Sequence, residues 1–403
     1  MLYAAYKGGN AMANMIDYVL WRGDIPVSQV PLGPIDALIL SYLSYMPYDG
    51  LVDAGFEGGG MTLAQAAGYF LDKGCRSLNL MDCDRDDRTL LEAIENSERF
   101  GTMTLTGYEN HVDAEQEKQF AALVFLPPEG PAFISFRGTD STVIGWKEDF
   151  NMSFTAAVPA QLYATRYAER AARALRRKLI LGGHSKGGNL AAYAGIFADA
   201  AARAQILCAY NFDGPGFNEA AMASPAFGKS STRIHTYVPQ SSIIGILLWH
   251  AEPFTVVKSE GIGVLQHNPY TWQLMGGSFI TLDGLSGASR FADATLKGWL
   301  EELAPQERRQ VIDGIYEVIS ASEGESVASL FEPRNLLAIV RAAGDMEEEK
   351  KRRILDAFRL LGASVVEAVP GLVGNAAGEL IARVRGELPP GEKKETQEEN
   401  GRA

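Results

Sequence analysis

The sequence is poor in the residues that build covalent and metal-based scaffolds. Among 403 residues there are three cysteines, Cys75, Cys83 and Cys208, and five histidines. Three thiols do not make a disulfide framework, and they lack the CxxC spacing with nearby histidines that a structural zinc site requires. Positive charge is also in deficit. Lys and Arg number 37 against 50 Asp and Glu, a net charge of −13. That field repels a phosphate backbone and argues against nucleic-acid binding through overall charge. Long apolar runs are missing too. The longest bulky one, IIGILLW at 243–249, is far short of the roughly 20 residues that span a bilayer. The opening residues MLYAAYKGGNAMANMIDYVLWRGD put no uninterrupted apolar stretch behind a basic end, so no secretory leader is expected. These absences together describe a reduced, cytoplasmic protein without a transmembrane segment.

What is present is enough apolar mass for a large core. Hydrophobic residues make up 46% and charged residues 22%, which excludes wholesale disorder. The first hundred or so residues read as helical and irregular. Leu38, Ile39, Leu40, Tyr42, Leu43 and Tyr45 form a dense apolar segment there, and 89–100 has helical spacing at Leu90, Leu91 and Ile94. Before that helix lie Asp82, Asp84, Asp86 and Asp87. The loop lacks the glycine and the terminal glutamate of a calcium-binding EF-hand, so solvated helix-capping carboxylates are expected.

From about Phe120 the pattern changes. Segments 120–126 and 132–136 are rich in Val, Ile and Phe and flank the turn sequence PPEGP, which predicts two strands. A helix is expected over 161–177, a short buried strand over 178–181 and an alanine-rich helix over 189–201. Further strands are expected over 206–212, 234–238 and 254–257. Strands alternating with helices predict a mostly parallel α/β sheet covered on both faces. After about Gly284 helices are expected again, over 291–303, 305–321 and 345–368. In the last, Ile354, Phe358, Leu361 and Val365 form one apolar stripe that packs on its own core or, alternatively, contacts a protein or membrane surface. The Pro-led, charged end is expected to be disordered. The expected organisation is therefore a helical region over 1–115, a core over 116–284, a helical region over 285–386 and a tail over 387–403.

The informative string is LILGGHSKGGNLAAYA, 179–194, which contains Gly183-His184-Ser185-Lys186-Gly187 and so matches G-x-S-x-G. A nucleophilic serine at a sharp strand-to-helix turn takes a strained backbone conformation, and flanking glycines remove Cβ clashes there. The turn lifts the hydroxyl above the sheet and aims the first amides of the next helix at a developing oxyanion. A structural turn is the alternative reading. The serine needs a base. His184 adjoins it and should point away, His111 lies ahead of the sheet, and His235 sits within a predicted strand. His250 and His267 remain, and His267 is favoured because it follows the last predicted strands in a loop, where catalytic partners are displayed. Asp213 ends the apolar strand 206–212 and precedes Gly214-Pro215-Gly216, a place suited to a carboxylate that orients an imidazole. Capping the turn is its alternative role. Thr139 in Phe136-Arg137-Gly138-Thr139-Asp140, with the amide of Lys186, could hold the oxyanion.

Through ISFRGTDSTVIGWKEDFNMSF, LGGHSKGGNLAAY, NFDGPGFNE, TYVPQSSIIGILL and VVKSEGIGVLQHNPYTW, residues 14–280 resemble the class 3 (fungal-type) lipases, and most closely the lipase-like Mbeg-like family. The resemblance implies an α/β-hydrolase fold with helical additions at both ends. It also implies Ser185 as nucleophile, His267 as base, and Thr139 and Lys186 as oxyanion contributors. Val143, Ile144 and Trp146 fall where those lipases carry an apolar lid. One departure is evident. The lipases carry their acid in a segment similar to Ser242-Ile243-Ile244-Gly245, and no carboxylate stands there. Asp213, one strand earlier, is the substitute. The expected function is a serine hydrolase acting on small-molecule or lipid carboxylic esters without metal or organic cofactor. The alternative is a catalytically silent binding or scaffolding protein of the same fold, an option that the missing carboxylate favours.

Overall fold

The computed structural model describes residues 12–302 together with 304, 306 and 307, apart from 58, 59, 80–82, 114, 116, 117, 141–147, 149, 150, 153, 154, 156 and 262. The helices expected over 305–321 and 345–368 and the charged tail lie essentially outside the described residues, as do Val143, Ile144 and Trp146.

Among the described residues, five helices come first: α1 (Met15–Arg22), α2 (Pro34–Leu43), α3 (Leu63–Lys73), α4 (Asp84–Glu95) and α5 (Glu98–Gly101). Strands β1 (Thr104–Asp113), β2 (Lys118–Leu126) and β3 (Ala132–Phe136) follow, then α6 (Pro159–Leu175), β4 (Leu179–His184), α7 (Lys186–Phe197), α8 (Ala200–Gln205) and β5 (Ile206–Phe212). After α9 (Glu219–Met222) and α10 (Pro225–Ser230) come β6 (Ile234–Pro239) and β7 (Phe254–Val257), then the short strands β8 (Leu274–Met275), β9 (Ser278–Phe279) and β10 (Thr281–Leu282), and α11 (Gly287–Glu302).

The main sheet has eight strands in the order β1-β2-β3-β4-β5-β6-β7-β10. Its centre, β3 to β7, is parallel, whereas β1, β2 and β10 join as antiparallel edges. Alternation along β2 sorts its side chains between two cores, as the two-residue period of a strand requires. Leu123 and Phe125, with Phe133 and Ile180 of the next strands, pack against the N-terminal helices. Ala122 and Val124, with Ile134, Leu179 and Leu181, pack beneath α6 and α7. Helix α6 presents Ala160, Ala164, Ala168, Ala171 and Ala172 to that face, small side chains at helical spacing that let it lie close to the sheet. Helix α2 is buried on every side, so it reads as a continuous apolar run rather than a stripe.

Three departures from the elements read in the sequence bear on the main sheet and the elbow. Strand β1 was not expected. Its Thr, Glu, Asn and His residues and the bulge around Gly107 (φ 66) break the alternation that signals a strand. Strand β4 runs to His184, beyond the 178–181 expected, because its glycines dilute the apolar signal. Helix α7 starts directly after Ser185 rather than at Asn189.

Candidate functional site

The parallel register sets up the site. His184 pairs with Phe212 across β4 and β5, so the next residues, Ser185 and Asp213, lie side by side at the carboxyl end of the sheet. Ser185 N–H donates to Phe212 O at 2.9 Å, and Asp213 N–H donates to Tyr237 O at 2.8 Å. Both residues have left-handed backbones, φ 58 for Ser185 and φ 51 for Asp213. A strained, half-buried serine between a strand and a helix is the geometry that G-x-S-x-G requires. Gly187 makes the turn feasible. A Cβ there would strike Phe136 O and crowd Arg137 and Gly138, so the Arg137-Gly138-Thr139 segment packs directly on the elbow.

Asp213 and His267 meet. His267 lies in a short 3-10 turn (Gly263–His267) after β7, and its Nδ1–H donates to Asp213 Oδ2 at 2.7 Å. In the neutral ring this leaves the Nε2 lone pair available to accept a proton. The Asp213 side chain is 1% exposed and that of His267 14%, so the carboxylate is sealed while the imidazole reaches the surface. His267 sits beside the elbow because its ring centroid is 4.4 Å from that of His184, the residue before Ser185.

The missing carboxylate near Ser242 has a structural explanation. Ser242 Oγ donates to Asp213 Oδ1 at 2.5 Å and accepts from Gly245 N–H at 3.0 Å. The segment after β6 therefore meets the same carboxylate group, with a hydroxyl facing an acid supplied by β5. A Cβ at Gly245 would collide with Asp213 Oδ1, so the close approach needs glycine.

Other candidates fall into distinct roles. Thr139 is buried within the Arg137–Asp140 ion pair (2.9 Å), which clasps its loop. Lys186 stands in the first turn of α7, at the positive end of the helix dipole. Its side chain carries a role the sequence did not reveal: the buried Nζ lies 2.5 Å from Gln119 Oε1 and 3.2 Å from Glu148 Oε2. His250 is bound to Glu252 Oε1 (2.9 Å) and Gly245 O (2.7 Å), bracing the turn that faces Asp213. His111 pairs with Glu109 on β1, and His235 is exposed on β6.

His184, expected to play a structural role with its side chain away from Ser185, packs its ring against that of His267. Burial holds its ring well below the ordinary histidine value, and the proximity of His267 adds to this, so it is neutral. Its Nε2–H donates to the His267 carbonyl at 2.8 Å, and Nδ1 accepts from the Tyr45 hydroxyl at 3.3 Å. No motif predicts that tie, because it joins residues far apart in sequence.

The sheet order, the elbow and the helices on both faces define an α/β-hydrolase-like protein. The chain belongs to the Mbeg1-like family, whose sequence model matches residues 94–317. That match begins within α4, leaving α1 to α3 outside it. No curated protein sequence matches the chain. Among solved structures it is similar to an M37 lipase, with 15% identity and a TM-score of 0.32 over 52% of this chain and 68% of that one. It is similar also to a fungal lipase in a lipase–inhibitor complex (16%, 0.31, 49% and 75%). A third is a triacylglycerol lipase from Penicillium expansum (12%, 0.27, 45% and 81%). Among the described residues, no helix is long and apolar enough to cross a membrane.

Proposed function

We propose that the chain is a serine hydrolase that cleaves small-molecule or lipid carboxylic esters through an acyl-enzyme on Ser185. The observation that carries this reading is the 2.7 Å Asp213–His267 hydrogen bond beside the elbow serine. In this reading His267 Nε2 takes the Ser185 proton as the oxygen attacks the ester carbonyl. Asp213 holds the ring in the required tautomer and stabilises the imidazolium that forms. The alcohol leaves with that proton, and water, activated by the same imidazole, releases the acid. Amides from Lys186 and the Thr139 loop would receive the negative oxygen. The chemistry calls for no metal or organic cofactor. Val143, Ile144 and Trp146 are the lid candidates of this proposal.

The three cysteines are free thiols, which suits a reducing cytoplasm. The scaffolding alternative drew on the absence of a carboxylate at Ser242. The Asp213 bonds to Ser242 and His267 supply a carboxylate at that place and so support the hydrolase reading over it. A fluorophosphonate probe tests the proposal: wild type should label and turn over p-nitrophenyl esters, and Ser185→Ala should do neither. A folded wild type that takes up no probe would refute the hydrolase reading.

A further inference from the structure

The segment bearing His267 has little regular structure of its own, two 3-10 turns at Gly263–His267 and Pro269–Thr271. Much of what holds it comes from the N-terminal part of the chain. The Tyr270 hydroxyl donates to Asp87 Oδ1 at 2.8 Å, and the Tyr42 hydroxyl donates to the same oxygen at 2.8 Å. Asn268, next to His267, donates through Nδ2 to Cys83 Sγ at 3.3 Å. Asn14 Nδ2 donates to Tyr270 O at 3.1 Å. The rings continue the circuit: Tyr270 meets Tyr42 edge-on at 5.0 Å, Tyr42 lies 5.8 Å from Tyr45, and Tyr45 lies 6.0 Å from His184. His184 then closes on the His267 carbonyl.

Asp87 is the polar centre of this circuit, and among the described acids of its cluster, Asp84, Asp86 and Asp87, it is the one that is buried where solvation was expected. Among the described residues no Lys or Arg pairs with it. A buried carboxylate without a cation costs desolvation that an apolar residue would avoid. Its distinctive contribution is to accept two hydroxyls at one point, which fixes the Tyr270 ring in orientation as well as depth. We propose that Asp87, acting through the Tyr270 hydroxyl, is a positioning residue for His267. The inference rests on the reading of His267 as the base. Burial raises the Asp87 carboxyl to about 6, with the two hydroxyls pulling the other way, so at neutral pH the carboxylate accepts both.

The test uses the full chain and two readouts, backbone hydrogen exchange over 263–272 and the rate of fluorophosphonate labelling. Asp87→Ala should speed exchange in that segment by about fivefold or more, the loss of about one hydrogen bond. It should slow labelling by about tenfold or more, since small misplacements of a base are costly. Asp87→Asn, which keeps an acceptor, should restore most of both. Exchange that does not change in 263–272, or that quickens with labelling unaffected, overturns the proposal. A wild type that never labels removes the hydrolase reading alone, and exchange still decides whether Asp87 restrains the segment. Should Asp87→Ala fail to fold, Tyr270→Phe removes one hydroxyl with little change in packing and is expected to act in the same direction on both readouts.

Discussion

Asp213 uses both of its oxygens, one for the Ser242 hydroxyl at 2.5 Å and one for His267 Nδ1 at 2.7 Å. Its left-handed backbone, which a short polar side chain tolerates, turns the carboxyl between these two partners. An asparagine would keep the shape but would have to face one of the two donors with an amide N–H. Asp213→Asn should therefore lower kcat/KM by about 10³- to 10⁴-fold while the circular dichroism spectrum and urea midpoint stay near wild type. A loss of only a few-fold would point to a serine–histidine pair working without this acid. At this scale the sequence was informative where chemistry is local. Ser185 is announced by its glycines, and Asp213 by an apolar strand before it and Gly-Pro-Gly after it. Ser242, His184 and the Lys186 side chain were illegible because each gains its role from a partner 29 to 83 residues away. Asp87 was misread for the same reason, since an acid in a helix's first turn is ordinarily solvated.

Elements with strong periodicity were legible, and those shaped by tertiary contacts were not. Strands β2, β3, β5, β6 and β7 follow from their apolar runs, whereas β1 hides behind its bulge and polar residues. The N-terminal region could be read as helical and irregular, with one helix over 89–100, but not as separate helices that cover one sheet face. They are tied to one another through Arg99, which is wholly buried and grips Asp36 with two bonds, 2.6 Å from Nε to Oδ1 and 2.7 Å from Nη2 to Oδ2. The same guanidinium donates to the carbonyls of Ile25, Val30 and Pro31, so one side chain joins α5 to α2 and to the loop before it. Removing one member of a buried pair strands the other charge. Arg99→Ala should cost about 3–5 kcal/mol of unfolding free energy, measured by urea denaturation. A loss under about 1 kcal/mol, the range of an exposed pair, would mean that water reaches Asp36 and that the cover is looser than its burial implies.

The N-terminal helices and the sheet come together around two buried titratable groups whose linkage to pH runs in opposite directions. His184 is held neutral, with its value well below 6.5, while the unfolded chain takes up a proton near 6.5. Below that pH the unfolded state binds more protons, so the His184 contribution is lost as pH falls. Asp87 is raised from 3.8 to about 6, chiefly by burial, with Asp84 and Asp86 adding to it and Tyr42 and Tyr270 opposing. Between these values the folded state binds more protons, so the Asp87 contribution is full below about 4 and is lost as pH rises through about 6. The Cys83 thiol beside it is pushed up to about 12, mainly by burial, and does not titrate in this range. Between pH 6 and 4 the two effects therefore partly cancel in the whole molecule. Asp87→Asn removes the compensating one, so its urea midpoint should fall more steeply than wild type on acidification through that window. His184→Asn should do the reverse and flatten the profile. Parallel profiles for wild type and Asp87→Asn between pH 4 and 6 would mean that Asp87 keeps an ordinary carboxyl affinity, and with it that water reaches the junction between the helical cover and the segment carrying His267.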